Sequence, residues 1–310
     1  MKFIYFGSGQ FAYFVLKQLY NQGVKPCLVV SQPDKPKRRG LKILPTEVNL
    51  FAKDKNISLI MPLSLNVQEL KEKLQTESAD FFLVADYGRI LPHWLLKLPQ
   101  VMPLGLHPSL LPCYRGPAPI SRAIINGENQ TGVTIFKIND KVDEGEIILQ
   151  KNAAIDDKDD IVSLPRKLAR LGAFSLIEAI EKIENGNYAL IPQDENLASL
   201  TSKLKKEDGK ISWKCPAAQI RNLIRATLGW PSAYTYYKNK PVQILEAETQ
   251  DAETDQEPST IVKIDKQGIY AATGKNVLKI KKLKPQGKKE MDAWPFVCGY
   301  RVKVGERFSL

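Results

Sequence analysis

The N-terminal part of the chain alternates short apolar runs with amphipathic stretches, and this alternation restricts the possible folds more than any other feature. Lys2–Phe6 and Cys27–Ser31 read as buried strands, Phe11–Leu19 reads as a helix between them, and Phe81–Ala85 as a further strand ending in a loop. Strands that alternate with helices need crossover connections, so the sheet is expected to be mostly parallel and doubly wound, an α/β fold. Ligands of such sheets sit beyond the carboxyl ends of the strands, which is where the loops around Tyr87 and His107 should lie.

Further along, Ser163 reads as a helix cap with Pro165 in the first turn, and Leu168–Ile183 continues as an amphipathic helix ended by Gly186. Asn187 to Asp208 is polar and irregular. These shifts divide the chain into a first domain over 1–188, a linker over 189–208 and a second domain over 209–310. The second domain pairs a helix at Pro216–Ala226 with short strands at Val242–Ala247, Thr260–Ile264, Gly268–Ala272 and Val277–Lys282, the pattern of a small β-barrel. Asp251–Pro258 is an acidic loop without period.

A chain of 310 residues with 43% hydrophobic content can bury two cores. No apolar run approaches the roughly 18 residues of a membrane span, and the N-terminus enters a strand without a signal-peptide layout, so a cytoplasmic protein is expected. Cys27, Cys113, Cys215 and Cys298 are scattered without metal-binding spacing, and no metal is expected. The net charge of +11 argues for an anionic partner. Residues 209–310 hold 18 Lys/Arg against 10 Asp/Glu, an imbalance suited to contact with a phosphate backbone.

Two local features carry chemistry. Gly7-Ser-Gly-Gln-Phe-Ala12 satisfies G-x-G-x-x-A after a strand, but no acid stands at the tip of the next strand to take a ribose hydroxyl, so no nicotinamide cofactor is expected. Gly105-Leu-His-Pro-Ser-Leu-Leu-Pro-Cys-Tyr-Arg-Gly-Pro-Ala-Pro-Ile120 follows an apolar run and is dense in Pro and Gly, hence a rigid loop. It holds His107, one of only two histidines. An apolar hairpin pattern follows, with Asp143 at its turn. A loop histidine with a carboxylate to orient it is a candidate for proton transfer at neutral pH.

That loop, with Thr131-Gly-Val-Thr-Ile135 and Val142-Asp-Glu-Gly-Glu146, resembles the active-site signature of the 10-formyltetrahydrofolate-dependent formyltransferases. Met1–Ala12, Ser31–Pro36 and Ala85–Pro92 resemble further loops of that family. Pro192-Gln-Asp-Glu195, Lys206-Glu-Asp-Gly209, Trp230-Pro-Ser-Ala-Tyr234 and Gln286-Gly-Lys-Lys289 are similar to the second domain of its tRNA-modifying branch. The resemblance implies a Rossmann-like first domain, an OB-like second domain, and transfer of a formyl group from 10-formyltetrahydrofolate to the α-amino group of methionyl-initiator tRNA by a monomer.

The resemblance also implies site residues. His107 and Asp143 take the catalytic positions. Tyr87, Gly88, Ile90, Leu91, Ser109, Leu110, Leu111 and Pro112 take those that line the folate pocket. Arg38, Arg39 and Lys42, in the basic run Lys35-Pro-Lys-Arg-Arg-Gly-Leu-Lys42, together with Lys206, Lys288 and Lys289, take those that meet tRNA. The run itself reads as an exposed, mobile loop. In two places the chain departs from the family, and at one of them Asp86 stands where the family usually has alanine. Gly105 stands where the family has an asparagine, and glycine has no amide to aim at an oxyanion. Asp86, Arg89 or a water is expected to fill the vacated space. The alternatives are a formyltetrahydrofolate hydrolase, a sugar-amine formyltransferase, and a folate- or tRNA-binding homologue with weakened catalysis.

Overall fold

The computed structural model describes residues 1–37 and 42–309. In chain order the elements are β1 (Phe3–Phe6), α1 (Gln10–Asn21), β2 (Leu28–Val30), β3 (Lys35–Lys37), β4 (Lys42–Leu44), α2 (Glu47–Asp54), β5 (Leu59–Ile60), α3 (Gln68–Glu77), β6 (Phe81–Val84), α4 (His93–Leu96), β7 (Met102–His107) and α5 (Pro119–Asn126). They continue with β8 (Gln130–Lys137), β9 (Ile147–Ala154), α6 (Leu164–Glu184), α7 (Ala217–Ala226), β10 (Tyr234–Tyr237), β11 (Lys240–Gln250), β12 (Ile261–Asp265), β13 (Gly268–Ala272), β14 (Val277–Pro285), β15 (Met291–Asp292) and α8 (Ala293–Tyr300).

The chain forms two compact units. The first comprises Met1–Pro119, Gln130–Ala154 and Ser163–Thr201. Its seven-stranded sheet has the order β5-β2-β1-β6-β7-β8-β9. The strands from β5 to β7 are parallel, while β8 and β9 are antiparallel additions. Every residue of β1 is buried, because helices cover both sides of a parallel sheet and no face is left for polar residues. The chain leaves β1 toward β2 on one side and returns to β6 on the other. That reversal opens a crevice at the strands' carboxyl ends.

The second unit comprises Ile120–Asn129, Ile155–Val162 and Ser202–Leu310. Its antiparallel sheet runs β10-β11-β14-β13-β12, with β15 on β14. The C-terminal residues bridge both edge regions, Ser309 to Tyr236 and Arg307 to Thr260. Tying the edges together draws the sheet toward a barrel and leaves fewer unpaired backbone groups. Trp213 stacks on Phe308 at 5.2 Å beneath this closure.

The observed division differs from the boundaries expected at 188 and 209. Residues 189–201 pack into the first unit, where Ile191 pairs with Ile147 and Thr201 donates its N–H to the Arg115 carbonyl. Residues 155–162 belong to the second unit because Arg225 donates to the Asp156 and Asp159 carbonyls and Ile161 donates back to the Arg225 carbonyl. Such long-range ties leave no periodic trace in sequence. Likewise, the basic run is not simply a loop, since Lys35–Lys37 and Lys42–Leu44 pair as a two-stranded ribbon.

Candidate active site

His107 ends β7, and the Gly/Pro-rich loop begins immediately after it. The register pairs Leu104 with Lys137, Gly105 with Phe136 and His107 with Thr134. Side chains alternate across a strand, so Gly105, His107, Thr134 and Phe136 share one face of the sheet. The loop is wired to that face through Thr134. Leu111 N–H donates to Thr134 Oγ1 at 3.0 Å, and the Thr134 hydroxyl donates to the Ser109 carbonyl at 2.7 Å. Gln150 Nε2 donates to the Leu111 carbonyl at 2.8 Å and to Thr134 Oγ1 at 3.0 Å. Ser109 Oγ donates to the Cys113 carbonyl at 2.6 Å.

The expected pair forms. His107 is buried, and its Nδ1 lies 3.5 Å from Asp143 Oδ2. Its Nε2 donates to the Tyr114 carbonyl at 2.9 Å. A carbonyl can only accept, so Nε2 carries a proton in this arrangement. On the other side the Asp143 carboxylate, which can only accept, faces Nδ1. Asp143 Oδ2 also accepts the Gly116 N–H at 2.8 Å, and this fixes the carboxylate independently of the histidine.

The space beside Gly105 is not filled as the sequence suggested. A Cβ at Gly105 would lie 2.4 Å from Phe136 Cε1 and Cζ. The buried ring of Phe136 therefore occupies the position into which an asparagine side chain would project. Asp86 is engaged elsewhere. Its carboxylate accepts the N–H groups of Phe11 and Ala12, at the start of α1, and its Oδ2 sits 1.7 Å from where a Gly9 Cβ would be. Gly9 is thus required by close approach. Arg89 Nη1 donates to the Pro62 carbonyl at 3.0 Å.

Asp86 lines an open crevice at the ends of β1 and β6 with Ser8, Gly9, Gln32, Pro33, Thr46, Tyr87 and Gly88. Water reaches this carboxyl, yet protein crowds it. Desolvation raises its pKa to about 6, against the opposing pull of the Phe11 and Ala12 N–H groups. Gln32 Nε2 donates to the Tyr87 carbonyl at 2.6 Å and anchors the next loop. In that loop Tyr87 and Leu91 are buried, Gly88 has φ 73°, and Ile90 is exposed. Leu111 is buried near Phe136 and Ile147. Leu110 and Pro112 are half-buried beside it.

Sequence reading missed Arg115, Gln193 and Glu195 as parts of this site. Gln193 Nε2 donates to the Asp143 carbonyl at 2.9 Å and to the Gly145 carbonyl at 2.8 Å. Gln193 Oε1 accepts from Arg115 Nε at 3.0 Å, and Arg115 grips Glu195 through Nη1 and Nη2 at 2.9 and 2.8 Å. The signal was present in Tyr114-Arg-Gly116 and Pro192-Gln-Asp-Glu195, the latter assigned to the second domain. It lies in the first unit.

Arg38 and Arg39 lie outside the described residues. Lys42 sits on β4, paired with Lys37. Lys206, Lys288 and Lys289 are exposed in the second unit. Among the described residues no helix is long and apolar enough to cross a membrane.

The sequence profile described as "Formyl transferase" matches residues 1–180, and that described as "Formyl transferase, C-terminal domain" matches residues 203–301. The methionyl-tRNA formyltransferase of Thermotoga neapolitana is 38% identical over 309 residues, covering 100% of this chain and 98% of that protein. The protein of the same name from Thermodesulfovibrio yellowstonii is 39% identical, covering 97% of each. Among solved structures, HypX from Aquifex aeolicus, in complex with tetrahydrofolic acid, shares the fold with a TM-score of 0.65 at 16% identity. The match covers 99% of this chain and 48% of HypX, so the chain spans about half of that protein. The chain belongs to the formyl transferase family.

Proposed function

We propose that this chain transfers the formyl group of 10-formyltetrahydrofolate to the α-amino group of methionyl-initiator tRNA in the cytoplasm. The observation that carries the reading is the buried His107–Asp143 pair at the end of β7, in a chain that aligns end to end with relatives named for this reaction. The amine attacks the formyl carbon of the folate, the bond from that carbon to the folate nitrogen breaks, and tetrahydrofolate leaves with the proton relayed from the amine. His107 takes the proton that the attacking amine must lose. To do so the ring gives up the Nε2 proton that the Tyr114 carbonyl accepts and keeps its single proton on Nδ1, facing Asp143, so that Nε2 turns a lone pair to the amine. A carboxylate behind the ring favours that tautomer and the charged ring that results.

The folate pocket is assigned to Tyr87, Gly88, Ile90 and Leu91 on one loop and Ser109, Leu110, Leu111 and Pro112 on the other. What supports this is the exposed, apolar Ile90 between buried Tyr87 and Leu91 in one loop, and the hold of Thr134 on Ser109 and Leu111 in the other. The tRNA is assigned to the basic second unit, with Lys206, Lys288 and Lys289, and to Arg38, Arg39 and Lys42 in the first. A sugar-amine acceptor would not need this charge.

The test is direct. The chain, methionyl-tRNA and 10-formyltetrahydrofolate should yield formylmethionyl-tRNA, and a nucleotide-linked amino sugar in place of the tRNA should yield nothing. Formate release without a formylated acceptor would instead indicate a hydrolase. Binding of the tRNA should weaken steeply with salt, and neutralising Arg38, Arg39 and Lys42 together should reduce the log–log slope by about 2–3 units. An unchanged slope would remove those three residues from the tRNA surface.

A further inference from the structure

Asp143 adopts φ 55°, a left-handed conformation that costs a non-glycine residue about 1 kcal/mol or more. In that conformation its carboxylate turns toward His107 and Gly116 while its carbonyl accepts from Gln193. Gln193 Nε2 meets both the Asp143 and Gly145 carbonyls, and an amide NH₂ has one N–H for each. Were the amide flipped, Oε1 would face two carbonyls and repel both. Arg115 prevents the flip, because its Nε donates to Oε1 and can donate to nothing but an acceptor.

Arg115 is itself fixed. Its side chain is almost fully buried, and Glu195 binds it in a bidentate fork, the strong geometry for a guanidinium and a carboxylate. Hydrogen bonding between the two raises the Arg115 pKa and lowers that of Glu195, so both stay charged. The same stretch is sewn to the loop by Ser199 N–H to the Pro112 carbonyl at 3.2 Å and Arg115 N–H to the Ser199 carbonyl at 2.8 Å. The chain of contacts runs from Glu195 through Arg115 and Gln193 to the turn that presents Asp143.

We propose that Gln193 is a positioning residue for the His107–Asp143 pair, with Arg115 setting the orientation of its amide and Glu195 setting Arg115. Only the kinetic arm of the test rests on the formyl-transfer reading. A mere surface tie would not require a buried guanidinium to fix an amide. A positioning tie does require it, because a misdirected amide would push the turn away from the histidine.

The full-length chain is compared with Gln193→Leu, Gln193→Glu and Arg115→Lys. The chain has only two histidines, so ring ¹⁵N shifts can be followed for His107 with His93 as internal control. Gln193→Leu and Gln193→Glu should each lower kcat about 10-fold or more, with KM for methionyl-tRNA within about twofold. Both should move the His107 ring shifts and leave those of His93 in place. Glutamate matches glutamine in size but offers the carbonyls no donor, so its failure separates hydrogen bonding from packing. Arg115→Lys retains charge without the planar fork and should move the His107 shifts in the same direction. Folded Gln193 variants with unchanged His107 shifts and kcat within about twofold of wild type would overturn the proposal. If the wild-type chain formylates nothing, the function assigned above fails, and the ¹⁵N arm still decides the role of Gln193.

Discussion

The connection between β8 and β9 holds two aspartates, and each faces a histidine. Asp143 turns inward to His107. Asp140 turns outward, where both of its oxygens lie 3.0 Å from His93 Nδ1. The outer pair is the closer one, since the inner contact is 3.5 Å. Distance therefore fails to pick the reactive pair. What separates them is surroundings: His93 and Asp140 are each 61% exposed, against 8% and 20% for His107 and Asp143. Water screens the outer charges, while the inner carboxylate acts through protein and is held by Gly116 as well.

The strongest way to break this comparison is to remove the inner pair. His107→Ala should lower formyl transfer by about 10²-fold or more, the usual size of a lost acid–base contribution, with the fold intact by circular dichroism. Asp143→Asn should also be severe, because an amide cannot stabilise the charged ring. Near-normal turnover in either folded variant would take the pair out of the mechanism.

A smaller effect tests the packing around the inner pair. Gly105→Asn places atoms where the Phe136 ring lies, so it should cost about 1–3 kcal/mol in stability, as overpacking does, and slow turnover by about 10-fold. The double change Gly105→Asn with Phe136→Leu should recover much of both, as expected for residues in contact. Thermal melts and kcat for the four proteins of this cycle give the coupling. Additive losses would mean that Phe136 does not hold the space beside Gly105.

These two glycine sites show how far sequence carries. The strands, the hairpin bearing Asp143 and the His107 loop were legible because periodicity and Pro/Gly density are local properties. The partner of each departure was not. Asp86 and Gly105 both depart from one family pattern, and this suggested that they touch. In space Asp86 belongs with Gly9, and Gly105 with Phe136, which reads in sequence as an ordinary apolar strand residue. Gln193 was hidden for a related reason: residues 189–208 have linker composition, and their ties to residues 112–117 and 143–145 are long-range.

Asp86 gives a further, milder contrast between an acid crowded by protein and one in water. Its folded-state pKa of about 6 exceeds the ordinary aspartate value near 3.9. Between about pH 4 and pH 6 the folded chain therefore keeps a proton that the unfolded chain has released, and raising the pH through that window removes stability. Asparagine does not titrate. The melting temperature of Asp86→Asn relative to wild type should rise by about a degree or two from pH 4 to pH 7, the small size reflecting water's access to the crevice. A shift in favour of wild type would show that attraction to the start of α1 outweighs desolvation.

The smallest effect is expected at the outer pair, and it sharpens the comparison most. His93 begins the short helix α4, and Asp140 shares a connection with Asp143, so the outer contact has one route to the chemistry: it can hold that connection in place. The inner turn already has its own anchors, with the Asp143 carboxylate on Gly116 and its carbonyl on Gln193. An exposed ion pair adds little to such a scaffold, because solvent competes for both partners and salt screens them. His93→Ala should therefore leave kcat within about twofold of wild type at low and at high salt, the range expected when no interaction special to the transition state is lost. Asp140→Ala should match it. A loss of about 10-fold or more in either variant, relieved by no change in salt, would mean that the connection needs both of its aspartate–histidine contacts and that exposure, like distance, is a poor guide to which pair matters.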